Sequence, residues 1–244
     1  MTDKQVFTKE TELCADFVAL VKAPWIVYAE TEGWDILLIN SIDCRQIGIQ
    51  AKLKLNPKVL AQAVENEWQE RTGPDYRAVL VPYGQANDLT KLAPFCGITI
   101  IYMSNRTSWG NPHFYPQLPG QSFYGAELNS EWHERLPIKR HSVPEFIPDV
   151  RAGSPSPIQL TRWKIAALKL AVRLDRTGYL TRADFKELQI DIRRWIGADN
   201  WLKPDFHGFI AGPNWPNWCH QHPIVYAEIE SDPSKWERVN QKLI

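Results

Sequence analysis

Two apolar runs, Trp34-Asp35-Ile36-Leu37-Leu38-Ile39-Asn40 and Gln46-Ile47-Gly48-Ile49-Gln50-Ala51-Lys52, constrain this chain more than any other feature. The polar break between them, Ser41 to Arg45, is too short for a crossover helix, so the runs are expected to pair as an antiparallel hairpin. Opposite residues in such a pair share a face, as do residues two apart on one strand. Asp35 then lies beside Gln50 and Lys52 if it pairs with either, and a one-residue slip places it on the other face. Asp35 and Lys52 both interrupt segments suited to burial, where an uncompensated charge is costly. An acid, an amide and an ammonium on one patch are compensated together by a divalent metal and a phosphodiester.

The flanking sequence supplies an order of elements. Leu13, Phe17, Leu20 and Val21 recur at helical spacing within Thr8 to Ala23, and Pro24 ends that helix. Trp25 to Ala29 reads as a first strand, with Gly33 as the turn before Trp34. Asn56-Pro57 gives an N-cap followed by Pro at the first helical position, opening a helix expected to run to about Arg71. Tyr76 to Val81, a short helix near Asn87 to Leu92, and Gly97 to Met103 complete the series α-β-β-β-α-β-α-β. Three antiparallel strands, a crossover helix and a further strand predict an α/β mixed sheet flanked by helices.

The pattern fails from Ser104 to about Pro157, where prolines and aromatics alternate, and Gly153-Ser154-Pro155-Ser156-Pro157 reads as a linker. The expected organisation is therefore an α/β domain over 1–104, an insertion and linker over 105–157, and a third region over 158–244. In that last region Leu160 to Leu174 is an amphipathic helix, Thr181 to Asp184 opens a second as a capping box, and Asp191 caps a third. A strand is expected over Ile224 to Ile229. Three helices followed by a β element is the order of a winged helix-turn-helix domain, smaller and mainly helical.

Charge narrows the partners. Lys plus Arg and Asp plus Glu both number 28, so overall basicity gives no argument for nucleic acid. Residues 158–203 nevertheless hold ten Lys or Arg against five Asp or Glu, a net of +5 that leaves −5 for the rest. Arg182, Lys186, Arg193 and Arg194 stand where a helix-turn-helix meets DNA, chiefly its phosphates; a solvated helical face is the plainer alternative. No apolar run approaches the roughly 20 residues that span a bilayer. No secretory core follows Met1, and Cys14, Cys44, Cys96 and Cys219 form no Cys-x-x-Cys pair, so a cytoplasmic protein with free thiols is expected.

These residues and their element order resemble the restriction endonuclease-like, or PD-(D/E)xK, phosphodiesterase superfamily. The matching pieces are Glu12 on the leading helix, Gly33-Trp34-Asp35 opening the second strand, Gln50-Ala51-Lys52 in the third, and the helix after Asn56. They cover about the first hundred residues. The resemblance implies an αβββαβ core and a Mg²⁺-dependent DNA nuclease, with Mn²⁺ as a substitute metal and no organic cofactor. It assigns Mg²⁺ to Glu12 and Asp35, water activation to Lys52, and the second acidic position to Gln50. It also leaves a homodimer open. Gln in place of an acid, and the lack of Pro before Asp35, are departures; they keep alive a non-catalytic DNA- or protein-binding accessory protein with a degenerate nuclease core.

Other candidates carry less. Glu30 and Glu32 flank a turn, and Glu32 reads as a solvated carboxylate rather than a ligand. Cys219-His220-Gln221-His222 has no second pair at zinc spacing. His113 and His141 read as surface or packing residues, and Phe114, Tyr115, Phe123 and Tyr124 as packing of the insertion, with base stacking the alternative.

Overall fold

The hairpin forms in one of the two registers open to it. In the computed structural model, which describes residues 7–64, 72–105, 111–120, 131–155, 158–197 and 200–236, Trp34–Asn40 (β2) pairs antiparallel with Gln46–Ala51 (β3). Ile36 faces Ile49 and Ile39 faces Gln46, which sets Asp35 across from Gln50. The Asn40 amide donates to the Arg45 carbonyl at 2.8 Å, closing a loop of Ser41 to Cys44. Buried Asp75 fixes the start of β3: its carboxylate accepts from the Gln46 amide at 2.8 Å and from Arg140 at 2.8 Å.

Around this hairpin the chain runs Glu10–Leu20 (α1), Trp25–Thr31 (β1), β2, β3, Pro57–Val64 (α2), Tyr76–Pro82 (β4), Leu89–Leu92 (α3), Ile98–Ser104 (β5) and His113–Tyr115 (β6). Among the described residues the sheet has six strands in sequence order. β2 is antiparallel to both its neighbours β1 and β3, β3, β4 and β5 are parallel, and β6 is antiparallel to β5. The parallel pairing of β3 with β4 follows from the crossover through α2. The expected continuation of that helix over residues 65–71 lies outside the described residues.

Each sheet face buries its own cluster. Leu13, Cys14 and Phe17 of α1 pack on Ile36, Leu38, Ile47, Ile49 and Ala78. Val59, Leu60 and Ala63 of α2 pack on Leu37, Ile39, Val79 and Val81. β3 and β4, covered on both sides, are buried throughout, which accounts for runs that are apolar without alternating. Gly48 has a steric reason: a Cβ there would fall 2.3 Å from the Trp34 indole.

The chain divides into two compact units, 1–143 with 150–157, and 144–149 with 158–244. The proline-rich segment thus does not form a separate layer: Phe114, Leu118, Trp132 and Ala152 belong to the α1-side core of the first unit. The second unit contains Arg162–Thr177 (α4), Arg182–Glu187 (α5), Arg193–Ile196 (α6), the hairpin Leu202–Asp205 (β7) with Gly208–Ala211 (β8), Trp218–Gln221 (α7) and Pro223–Ser231 (α8). Thr161 caps α4, its hydroxyl accepting from the Lys164 amide at 3.1 Å, and Gly178 at φ +81° ends it.

The strand expected over Ile224 to Ile229 is instead α8. Pro223 occupies its first position, and Asp149 accepts from the Ile224 and Val225 amides at 2.9 and 3.4 Å. Its buried residues Val225, Tyr226 and Ile229 follow helical spacing, so tertiary capping and packing override the β propensity of Ile and Val. The β element of this unit comes earlier, as β7–β8, and Leu180 bridges to Phe209 beside it. Among the described residues no helix is long and apolar enough to cross a membrane.

Candidate active site

Alternation along β2 breaks at Asp35. Ile36 and Leu38 face α1 and Leu37 and Ile39 face α2, yet Trp34 also lies on the α2 side. The cause lies opposite. The register from Ala29↔Ile36 to Thr31↔Trp34 leaves Glu30 facing Asp35, and Glu30 has φ +50°, a left-handed conformation that costs a β-strand residue about 1 kcal/mol. This local twist at the strand end re-aims side chains in the manner of a bulge.

The Asp35 Oδ2 accepts from the Ala51 amide at 2.7 Å. Burial holds the Asp35 carboxyl above the usual carboxylate range, and the Ala51 amide and the nearby Lys52 ammonium only partly offset it. Glu30 is pushed up to about 7, first by burial and then by the Asp35 charge, while the Ser154 amide, donating at 3.1 Å, opposes the shift. Lys52, just past the end of β3, reaches Glu10 of α1 at 2.7 Å. The mouth of the hairpin therefore gathers Glu10, Glu30, Asp35 and Lys52.

Two of the expected residues are elsewhere. The Glu12 carboxylate closes the N-terminus of α1, accepting from the Thr8 amide at 2.9 Å, the Thr8 hydroxyl and the Lys9 amide at 3.2 Å, which lower its pKa. Glu10, two residues earlier, takes the place beside Lys52. Gln50 faces α2: its amide donates to the Gly33 carbonyl at 2.8 Å, and its parallel partner Val79 belongs to the α2-side core. The register put Gln50 opposite Asp35 as expected, but the break at Asp35 separates their side chains. Glu30 was passed over in the sequence because a left-handed residue within a strand leaves no signature in a Glu-Thr-Glu-Gly run.

A divalent cation suits this donor set. Two desolvated carboxylates, with the Asp35 charge raising the proton affinity of Glu30, are relieved by a hard cation, and Mg²⁺ commonly takes one or two carboxylates while keeping waters and substrate phosphate oxygens. Among the described residues no group of three or more His, Cys, Asp or Glu is gathered for a metal. His222 is fully buried, with Nδ1 2.7 Å from Asp149.

In the second unit, Arg182, Lys186, Arg193 and Arg194 are all exposed. The Arg182 guanidinium lies 5.7 Å from the Phe209 ring centroid, and Arg193 forks onto Asp191 at 2.6 to 3.0 Å, which neutralises its charge locally. Phe123 and Tyr124 lie outside the described residues, whereas Phe114 is buried in an edge-to-face contact with Phe17. No family model, curated protein or solved structure matches the chain.

Proposed function

We propose that the protein is a metal-dependent nuclease that hydrolyses DNA phosphodiesters at the mouth of the β2–β3 hairpin. The observation that carries this reading is the side-by-side placement of two desolvated carboxylates, Glu30 and Asp35, with the Lys52 ammonium beside them. The α-β-β-β-α-β order and the β3–β4 parallel pairing are those of the restriction endonuclease-like core, which supports it further.

Glu30 and Asp35 would hold Mg²⁺ or Mn²⁺. When bound, the cation neutralises phosphoryl oxygens and acidifies a coordinated water. The Ala51 amide fixes one Asp35 oxygen, leaving the other for a ligand. Lys52, steadied by Glu10, presents an ammonium to the charge that builds on the phosphoryl group and orients the attacking water. The α4–β8 region, with a helix, a bridging residue, two short helices and a hairpin, has winged-helix order, and Arg182 and Lys186 supply phosphate contacts.

Digestion of single- and double-stranded DNA with and without Mg²⁺ tests the proposal. Cleavage is expected in the wild type and lost in folded Asp35→Ala and Lys52→Ala; undiminished cleavage in both variants refutes it. A second reading, a non-catalytic DNA-binding accessory protein on the same fold, is favoured by the neutral Gln50 turned to the other sheet face. DNA binding without metal-dependent cleavage would select it.

A further inference from the structure

On the α2 side of the hairpin mouth lies a cavity of about 250 Å³ whose wall includes Trp34, Asp35, Gln50, Gln62, Arg77 and His141. Its volume is below the roughly 300–1,000 Å³ of sites for drug-sized ligands, which suits one ring system. Arg77 is 4% exposed and Gln50 7%. The Gln62 Oε1 is buried with no hydrogen-bond partner among the described residues. The Trp34 indole is locked in plane, its N–H donating to His141 Nε2 at 3.1 Å. Because the indole nitrogen only donates, His141 accepts at Nε2 and its neutral form carries the proton on Nδ1, 3.7 Å from Glu32. Burial keeps that imidazole's pKa below its ordinary value.

Gln50 and Gln62 bring amide groups to these walls, Arg77 a guanidinium and His141 an imidazole edge, so the fitting ligand is small and edged with hydrogen-bond donors and acceptors. A nucleobase has that chemistry. The cavity shares Asp35 with the candidate active site, and a base is joined to its phosphate through a single sugar. A strand whose phosphodiester lies at Asp35 therefore carries its base one sugar away from this cavity.

We infer that this cavity receives a single unstacked base of the DNA strand being cut, making the preferred substrate single-stranded or locally unpaired. The inference rests on the nuclease reading.

The test is fluorescence anisotropy of Asp35→Asn protein with a labelled single-stranded oligonucleotide, intact or carrying one abasic position scanned along it. An abasic site at one register is expected to weaken binding about tenfold or more. Gln62→Leu, its folding checked by near-ultraviolet circular dichroism, is expected to bind intact and abasic strands alike. Equal binding of intact and abasic strands by the Asp35→Asn protein overturns the base pocket while leaving the nuclease reading in place. So does an abasic penalty unchanged by Gln62→Leu. A base-dependent affinity in a wild type that never cleaves refutes the nuclease instead and keeps the pocket.

Discussion

Replacing Glu30 by Gln isolates the electrostatic cost of the proposed site. Folding holds this carboxyl at about 7 instead of its ordinary 4.5, chiefly by burial. Between those values the folded chain keeps a proton that the unfolded chain has released, so stability must fall as pH rises through that window and level off above it. Complete exclusion from water would make the loss at most about 3.4 kcal/mol at 1.36 kcal/mol per pH unit. Glu30 is only partly buried, and solvent screening reduces the expected figure to about 1–2 kcal/mol. Urea unfolding from about pH 5 to pH 8 should therefore show the wild type losing about 1–2 kcal/mol that Glu30→Gln does not lose. Asp35→Asn should shift the wild-type transition to lower pH without removing it, because Asp35 is the second cause and burial the first. Saturating Mg²⁺ should flatten the wild-type curve. Parallel curves for wild type and Glu30→Gln would refute the reasoning.

Other perturbations test neighbouring parts of the account. Gly48→Ala forces a Cβ to 2.3 Å from the Trp34 indole and should cost about 1–3 kcal/mol in urea unfolding. Lys52→Met breaks a partly exposed pair with Glu10 and should cost less than about 1 kcal/mol while eliminating cleavage, which separates stability from activity. Asp149→Ala leaves fully buried His222 without its partner and uncaps α8; a loss of about 3–5 kcal/mol is expected in the unfolding of the second unit, followed by tryptophan fluorescence. Arg182→Ala with Lys186→Ala should lower the salt dependence of DNA affinity by about two phosphate contacts, while Arg193→Ala, whose charge Asp191 already holds, should change it little.

The hairpin was legible because loop length and face preference leave few registers: β2 falls on Trp34 to Asn40 as read, and the loop on Ser41 to Cys44. The order of elements through β5 was legible for the same kind of reason, since Pro24, Asn56-Pro57 and Gly73-Pro74 punctuate strongly periodic runs. What the sequence hid was conformational. Regular alternation predicts Asp35, Gln50 and Lys52 on one face, but at the left-handed Glu30 the strand end turns Asp35 away from the α2 face that Gln50 keeps. Glu12 carried the resemblance, yet three local donors at Thr8 and Lys9 claim it as a cap, and no residue type distinguishes that use from a ligand. Ile224 to Ile229 was misread because a cap from distant Asp149 is invisible to local propensity. β6 has three residues between prolines, too few for a periodic signal.

The most direct test of the central claim is anomalous diffraction from crystals grown with Mn²⁺ at a concentration that supports cleavage. The account predicts one strong peak shared by the Glu30 and Asp35 carboxylates and lost in Asp35→Asn. A peak at another set of side chains, or none beside Asp35, would contradict it.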